Sequence, residues 1–184
     1  GNGIQWCTSQ GGREMQDTAL FHKACRQGDE QLVEQLLEQG VVIDAENHEL
    51  LTGLHIPAYR GHETVARLLL AAGADDNIEI KTQRQATPFH FAAQNGHLAV
   101  VQVLLASGAD KEARDDSQCT ALHWAACSCN ETVVQALLAD GSGIEAKDIK
   151  GCTPMHVAVL NGDEVVTQAL LTAGANKEAR TSPN

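Results

Sequence analysis

Cys119, His123, Cys127 and Cys129 form the densest group of nucleophilic and metal-binding side chains in the sequence. On a helix, His123 and Cys127 would be neighbours four residues apart, and a thiolate beside an imidazole is zinc chemistry. Their spacing matches no common zinc motif, however, so no metal and no cofactor is expected. Ser128 and Ser142 have no histidine and aspartate arranged to activate them, and no glycine-rich phosphate loop is followed by lysine. Gly61-His62-Glu63 and Gly162-Asp163-Glu164 read as helix starts, where acidic groups favour the dipole. No catalytic residue is expected, and the chain is read as a non-enzyme.

The histidines point instead to repetition. His22, His55, His90, His123 and His156 follow one another at steps of 33, 35, 33 and 33 residues. Gly28, Gly61, Gly96 and Gly162 keep the same step, with Cys129 where a glycine is due, and so do Gly40, Gly73, Gly108, Gly141 and Gly174. Three series in register define repeated structural units. Each unit reads as two short helices. In the third, Thr87 caps the first helix, Pro88 opens it without losing a needed donor, and Gly96 suits its left-handed end. The second helix carries one apolar stripe: Val100, Val101, Leu104 and Leu105 here, Leu32, Val33, Leu36 and Leu37 in the first unit. Val133, Val134, Leu137 and Leu138 repeat it in the fourth, and Val166, Thr167, Leu170 and Leu171 in the fifth. A polar stretch such as Ala109 to Cys119 is long enough for a hairpin before the next unit. One helix pair cannot bury its stripe alone, but a stack of pairs can, which is the logic of a solenoid. Cys119 and Cys152 fall in equivalent places one unit apart. At the ~8–10 Å separation of packed helices they are too distant for a disulfide.

Thr87-Pro88-Phe89-His90-Phe91-Ala92-Ala93-Gln94-Asn95-Gly96-His97 resembles the signature of the ankyrin repeat family. Thr120 to Ala126, Thr153 to Ala158 and the turn Gly108-Ala109-Asp110 resemble it too. The resemblance implies an all-α ankyrin-repeat solenoid of stacked helix-turn-helix units with projecting β-hairpin loops. The units are read as residues 18–50, 51–85, 86–118, 119–151 and 152–180, after a flexible tail at 1–17. It also implies structural roles for His22, His55, His90, His123 and His156. With Thr52, Thr87, Thr120 and Thr153 they would lock the corner between hairpin and helix.

Departures from the pattern cluster in unit two. Gly53 stands where proline is due, and Pro57 where alanine is due, inside the first helix, at a cost of up to ~3 kcal/mol. The following hairpin, Gly73 to Thr87, holds two extra residues. Unit one lacks the Thr-Pro start and carries Lys23, Arg26 and Gln27, which suits a polar cap. In unit five Val165, Val166, Ala169 and Leu170 show no polar replacement on the outer face. The stretch 181–184 is therefore expected to break off within a longer array.

Acidic residues outnumber basic ones 24 to 13, a formal net charge of −11 that disfavours nucleic acid and anionic membrane and suggests a protein partner with a basic patch. No apolar run approaches the ~20 residues of a membrane span. Six cysteines without a secretory signal read as free thiols, hence a cytoplasmic or otherwise intracellular setting, with the segment monomeric.

The resemblance implies protein–protein recognition through the concave face and hairpin tips. On the first helices the family's contact positions carry over to Tyr59, Arg60, Gln94, Asn95, Cys127, Ser128, Leu160 and Asn161. On the hairpins they are His48, Glu49, Arg84, Asp116, Ser117, Ile149 and Lys150. Tyr59, Arg60 and Arg84 are the expected anchors, being of the types most often found as hot spots. Phe91 and Trp124 are expected to tuck between neighbouring units. An architectural spacer without a partner of its own is the alternative, and zinc or redox regulation through the cysteines the third reading.

Overall fold

Four of the five units begin with the same small machine. In the third, the Thr87 amide donates to Nδ1 of His90 at 3.2 Å, and the threonine Oγ1 lies 2.9 Å from the same nitrogen. Thr52 with His55, Thr120 with His123 and Thr153 with His156 repeat the arrangement. The box satisfies amides that a helix start leaves without partners. Proline at the first position of two of these helices costs nothing, because its missing N–H falls among those same orphans.

The computed structural model describes residues 7–47, 51–73 and 78–178. Among them are ten helices and no strand. They are α1 (Cys7–Gln27), α2 (Glu30–Glu38), α3 (His55–Arg60), α4 (Glu63–Ala71) and α5 (Pro88–Gln94), followed by α6 (Leu98–Ala106), α7 (Ala121–Cys127), α8 (Glu131–Ala139), α9 (Pro154–Leu160) and α10 (Glu164–Thr172). Odd-numbered helices stack on odd and even on even, so the array has two helical layers. Helices this short are marginal alone in water and depend on packing. The packing runs unbroken from Phe21 through Leu54, Phe89 and Leu122 in the first layer. Val33, Leu69, Leu104, Leu137 and Leu170 continue it in the second. Ala58, Ala93 and Ala126 are wholly buried between units, where their small side chains let successive first helices approach.

The hairpins are built from turns rather than paired strands. Asp115 N–H donates to the Cys119 carbonyl at 3.1 Å, and Asp148 N–H to that of Cys152 at 2.9 Å. Neighbouring tips are tied together by Asp116 N–H to Arg84 O and Ile149 N–H to Ser117 O, both 2.9 Å. Gln118 holds a left-handed φ of 61° at a tip where the next hairpin has Gly151 at 75°. That conformation costs a non-glycine residue about 1–2 kcal/mol, against a glycine chain-entropy penalty of about 0.5–1 kcal/mol. Gln118→Gly is therefore expected to stabilise the array by roughly 0.5–1 kcal/mol in urea titrations. A loss would show that the glutamine side chain holds the tip.

Unit two differs from the expectation for Pro57. The helix α3 starts at His55, whereas α5, α7 and α9 start two residues before their histidines. Pro57 therefore sits in the first turn, where no amide has a helical partner, and the expected loss of a backbone bond does not arise. Gly53 explains the late start. Its N–H donates to the Ile43 carbonyl at 3.1 Å, a bond proline cannot make. A Cβ there would lie 2.8 Å from both that oxygen and the Phe21 ring. At the other end, α1 begins at Cys7, within the stretch read as a tail. Arg13, Glu14, Met15 and Gln16 are good helix formers, and no proline interrupts them.

Candidate binding face

The histidines do more than close their own corners. Nδ1 of His90 accepts from the Thr87 amide, which leaves the ring proton on Nε2 to donate to the Cys119 carbonyl at 3.1 Å. His123 does the same with Thr120 and the Cys152 carbonyl, at 3.1 Å. His55 reaches the Ala86 carbonyl at 3.4 Å. Each acceptor is the residue before the next unit's threonine, so every ring ties two units together. Burial pulls the His55 ring down to about 4, and it moves His90 and His123 in the same direction. All three therefore stand neutral at pH 7.

The same commitment bears on the cluster of Cys119, His123, Cys127 and Cys129. The only lone pair of neutral His123 is already taken by Thr120, and no group of three metal-binding side chains gathers among the described residues. Cys119, Cys127, Cys129 and Cys152 are free, with Cys127 and Cys129 exposed. Burial, with Asp115 next in weight, pushes the Cys119 thiol up to about 12. The Cys129 thiol is raised through its hydrogen bond to Asp163, and burial raises that of Cys152. Activated thiols shift the other way.

Tyr59, Arg60, Gln94, Asn95, Cys127, Ser128, Leu160 and Asn161 all lie exposed at the ends of the first helices. Arg84, Asp116, Ser117, Ile149 and Lys150 are exposed on the hairpins. His48 and Glu49 lie outside the described residues. Some of the polar members already serve the array. Asn161 Nδ2 donates to the Cys127 carbonyl at 2.8 Å, Asn95 Nδ2 to the Phe91 carbonyl at 2.8 Å, and Ser117 Oγ to Asp116 at 3.2 Å. Leu160, at 79% exposure, and Ile149, at 70%, are apolar without cover.

Phe91 and Trp124 are half-buried rather than fully tucked away. With Tyr59 they form a row of rings across three units. Tyr59 and Phe91 meet edge to face at 6.2 Å, and Phe91 meets Trp124 at 5.7 Å. The Arg60 guanidinium lies over the Tyr59 ring, 5.5 Å from its centre. Trp124 is fixed by Asp115, which no motif of the sequence singles out. This carboxylate is buried and accepts from Trp124 Nε1 at 2.9 Å, from Ser117 N–H at 2.9 Å and from Cys119 N–H at 2.8 Å. A signal for it exists. Asn47, Thr82, Asp115 and Asp148 recur in register with the histidines, and each accepts from the amide four residues on.

A second overlooked series ties units through their second-helix starts. His62 Nε2 donates to the Arg26 carbonyl at 3.1 Å, His97 Nε2 to that of Tyr59 at 3.0 Å, and Asn130 Nδ2 to that of Ala93 at 3.0 Å. Glu79, Glu112 and Glu145 reach forward one unit to the amides of Asp110, Gly143 and Asn176.

Helix pairs stacked through repeated corner histidines, with turn-built hairpins along one edge, define a helical repeat solenoid. The chain belongs to the ankyrin repeat family, whose model for ankyrin repeats in three copies matches residues 4–80, 21–115 and 89–181. Members of this family are generally protein–protein interaction modules and typically non-catalytic. No curated protein matches the chain. No described helix is long and apolar enough to cross a membrane.

Proposed function

We propose that this chain binds a partner protein across the exposed side of its first helices and the adjoining hairpin tips, with Tyr59, Arg60 and Arg84 as anchors. The observation that carries this reading is the ring row Tyr59–Phe91–Trp124, which presents aromatic surface from three units in one line. Aromatic and arginine side chains dominate binding energy at interfaces, whereas a spacer gains nothing by exposing them. Leu160 and Ile149 extend the apolar surface toward the last unit. The free thiols fit a reducing, intracellular compartment.

The test changes the face without changing charge. Wild-type protein and a folded Tyr59→Ala, Leu160→Ser variant are compared in quantitative pull-downs. Proteins held by the wild type are expected to fall at least tenfold on the variant. The reading fails if both hold the same proteins equally, or if neither holds any.

A further inference from the structure

We infer that the first-helix face accommodates an extended peptide segment that is acidic at one end and apolar at the other, with the acidic end over units one and two. This rests on the use of that face proposed above and adds the chemistry and direction of its occupant. The sign is opposite to what the net charge of −11 suggests.

The reason is where the acids are. Helices α3, α5, α7 and α9 read HIPAYR, PFHFAAQ, ALHWAAC and PMHVAVL, without one aspartate or glutamate. Acids instead start the second helices, at Glu30, Glu63, Glu131 and Glu164, where the helix dipole favours them. Others organise the hairpins. The exposed place four residues after each corner histidine reads, from unit one to unit five, Arg26, Tyr59, Gln94, Cys127 and Leu160. The face thus passes from cationic through neutral to apolar.

The cations near its start are available. Lys23, Arg60 and Arg84 are exposed, and among the described residues none of them makes an ion pair, whereas Arg67 and Lys111 are paired with Glu63 and Asp140. The Arg60 guanidinium lies over the Tyr59 ring, 5.5 Å from its centre, and its N–H groups suit a carboxylate in a forked pair. On the hairpin row Asp116, on the tip beside Arg84, sits one unit further along, and Glu46 lies exposed on the hairpin before. An acidic segment is therefore attracted at the beginning of the first-helix face and repelled from the acidic starts of the second helices, while Leu160 and Ile149 offer apolar contact at the other end, which fixes its direction. At ~8–10 Å between successive first helices, Tyr59 and Leu160 are roughly 24–30 Å apart. That distance is about seven to nine residues of extended chain.

The experiment is selection of a displayed random 16-residue peptide library on wild-type protein. Affinities of the selected sequences, made as labelled synthetic peptides, are then measured by fluorescence polarisation. Enrichment is expected for aspartate or glutamate at one end and leucine or phenylalanine about eight residues away. Arg60→Glu with Arg84→Glu, on a fold verified by circular dichroism, is expected to weaken these peptides at least tenfold. Leu160→Ser should weaken them, while sparing an acidic peptide that lacks the apolar residue. Lysine in place of the peptide's acids should abolish binding. Enrichment of basic peptides overturns the inference. So does binding that survives charge reversal yet is lost with Tyr59→Ala and Leu160→Ser, an outcome that leaves the proposed face standing. Peptides that ignore all of these changes, or no selected peptides at all, defeat the inference, and the former counts against the face as well. A labelled single-stranded oligonucleotide that binds through Arg60 and Arg84 where peptides do not would replace it with a nucleic-acid partner.

Discussion

Lowering the pH from 7 to 5 is expected to cost the array a large part of its stability. His55 is buried and neutral, with its ring pulled down to about 4 in the fold against 6.5 for an ordinary histidine. A depressed histidine is at full advantage above its unfolded value. As the pH falls below 6.5 the unfolded chain takes up a proton that the folded chain refuses, so stability drops until the ring protonates near 4. At about 1.4 kcal/mol per pH unit, His55 alone removes roughly 2 kcal/mol by pH 5 and about 3 kcal/mol by pH 4. His90 and His123 shift in the same direction and add to the loss. Protonation would also place a donor at Nδ1, facing the threonine amide that now donates to it. Urea titrations at pH 7, 6 and 5 check this. Burial raises the Glu79 carboxyl and so changes the lower end of the curve, which makes a comparison with His55→Gln useful. That variant should be weaker at pH 7 but should show a shallower slope between pH 6.5 and 5. A stability that stays level from pH 7 to 5 would mean the corners accept a second proton without opening.

The same histidines show why so much of this fold is legible from sequence. A repeat states each structural requirement several times, so a side chain needed at one corner appears as a series rather than as a single residue. Thr87 and His90 would be unremarkable alone; with Thr120 and His123, and Thr153 and His156, they mark helix starts that the structure places within a residue or two. What resists reading is whatever depends on contacts between units. Pro57 looks costly only if α3 begins where its counterparts do. The late start depends on the Gly53 amide meeting Ile43 and on the Phe21 ring standing close by, contacts made across a unit boundary. Asp115 is hard to read for the opposite reason. Its position recurs, but as asparagine, threonine and aspartate, a chemical series rather than an identical one. The candidate face is the least legible part. Positions can be carried over from the family, but the row of rings depends on side chains from three units converging. The sign of the local charge is hidden by a net charge concentrated elsewhere.

Phe89→Ala is expected to remove about 3–5 kcal/mol, the usual cost of emptying a buried aromatic site. Phe89 is wholly buried in α5, in the row that runs from Phe21 through Leu54 to Leu122. Its backbone and corner bonds do not involve the ring, so the variant should keep its helices and lose packing. In a solenoid each unit is held by its own contacts and by its two neighbours, and unit three has neighbours on both sides. Weakening it therefore loosens two interfaces at once. The urea transition should move to lower concentration and also broaden, as units one and two begin to unfold separately from four and five. Met155 provides the control. It holds the equivalent place in unit five, is only half-buried, and follows the last interface between described units. Met155→Ala should lose less than half as much and leave the transition sharp. Equal losses in the two variants would show that the side chain's own burial, rather than its place in the stack, sets the cost. A sharp transition in Phe89→Ala would show that coupling through the histidine corners is strong enough to keep five units unfolding as one.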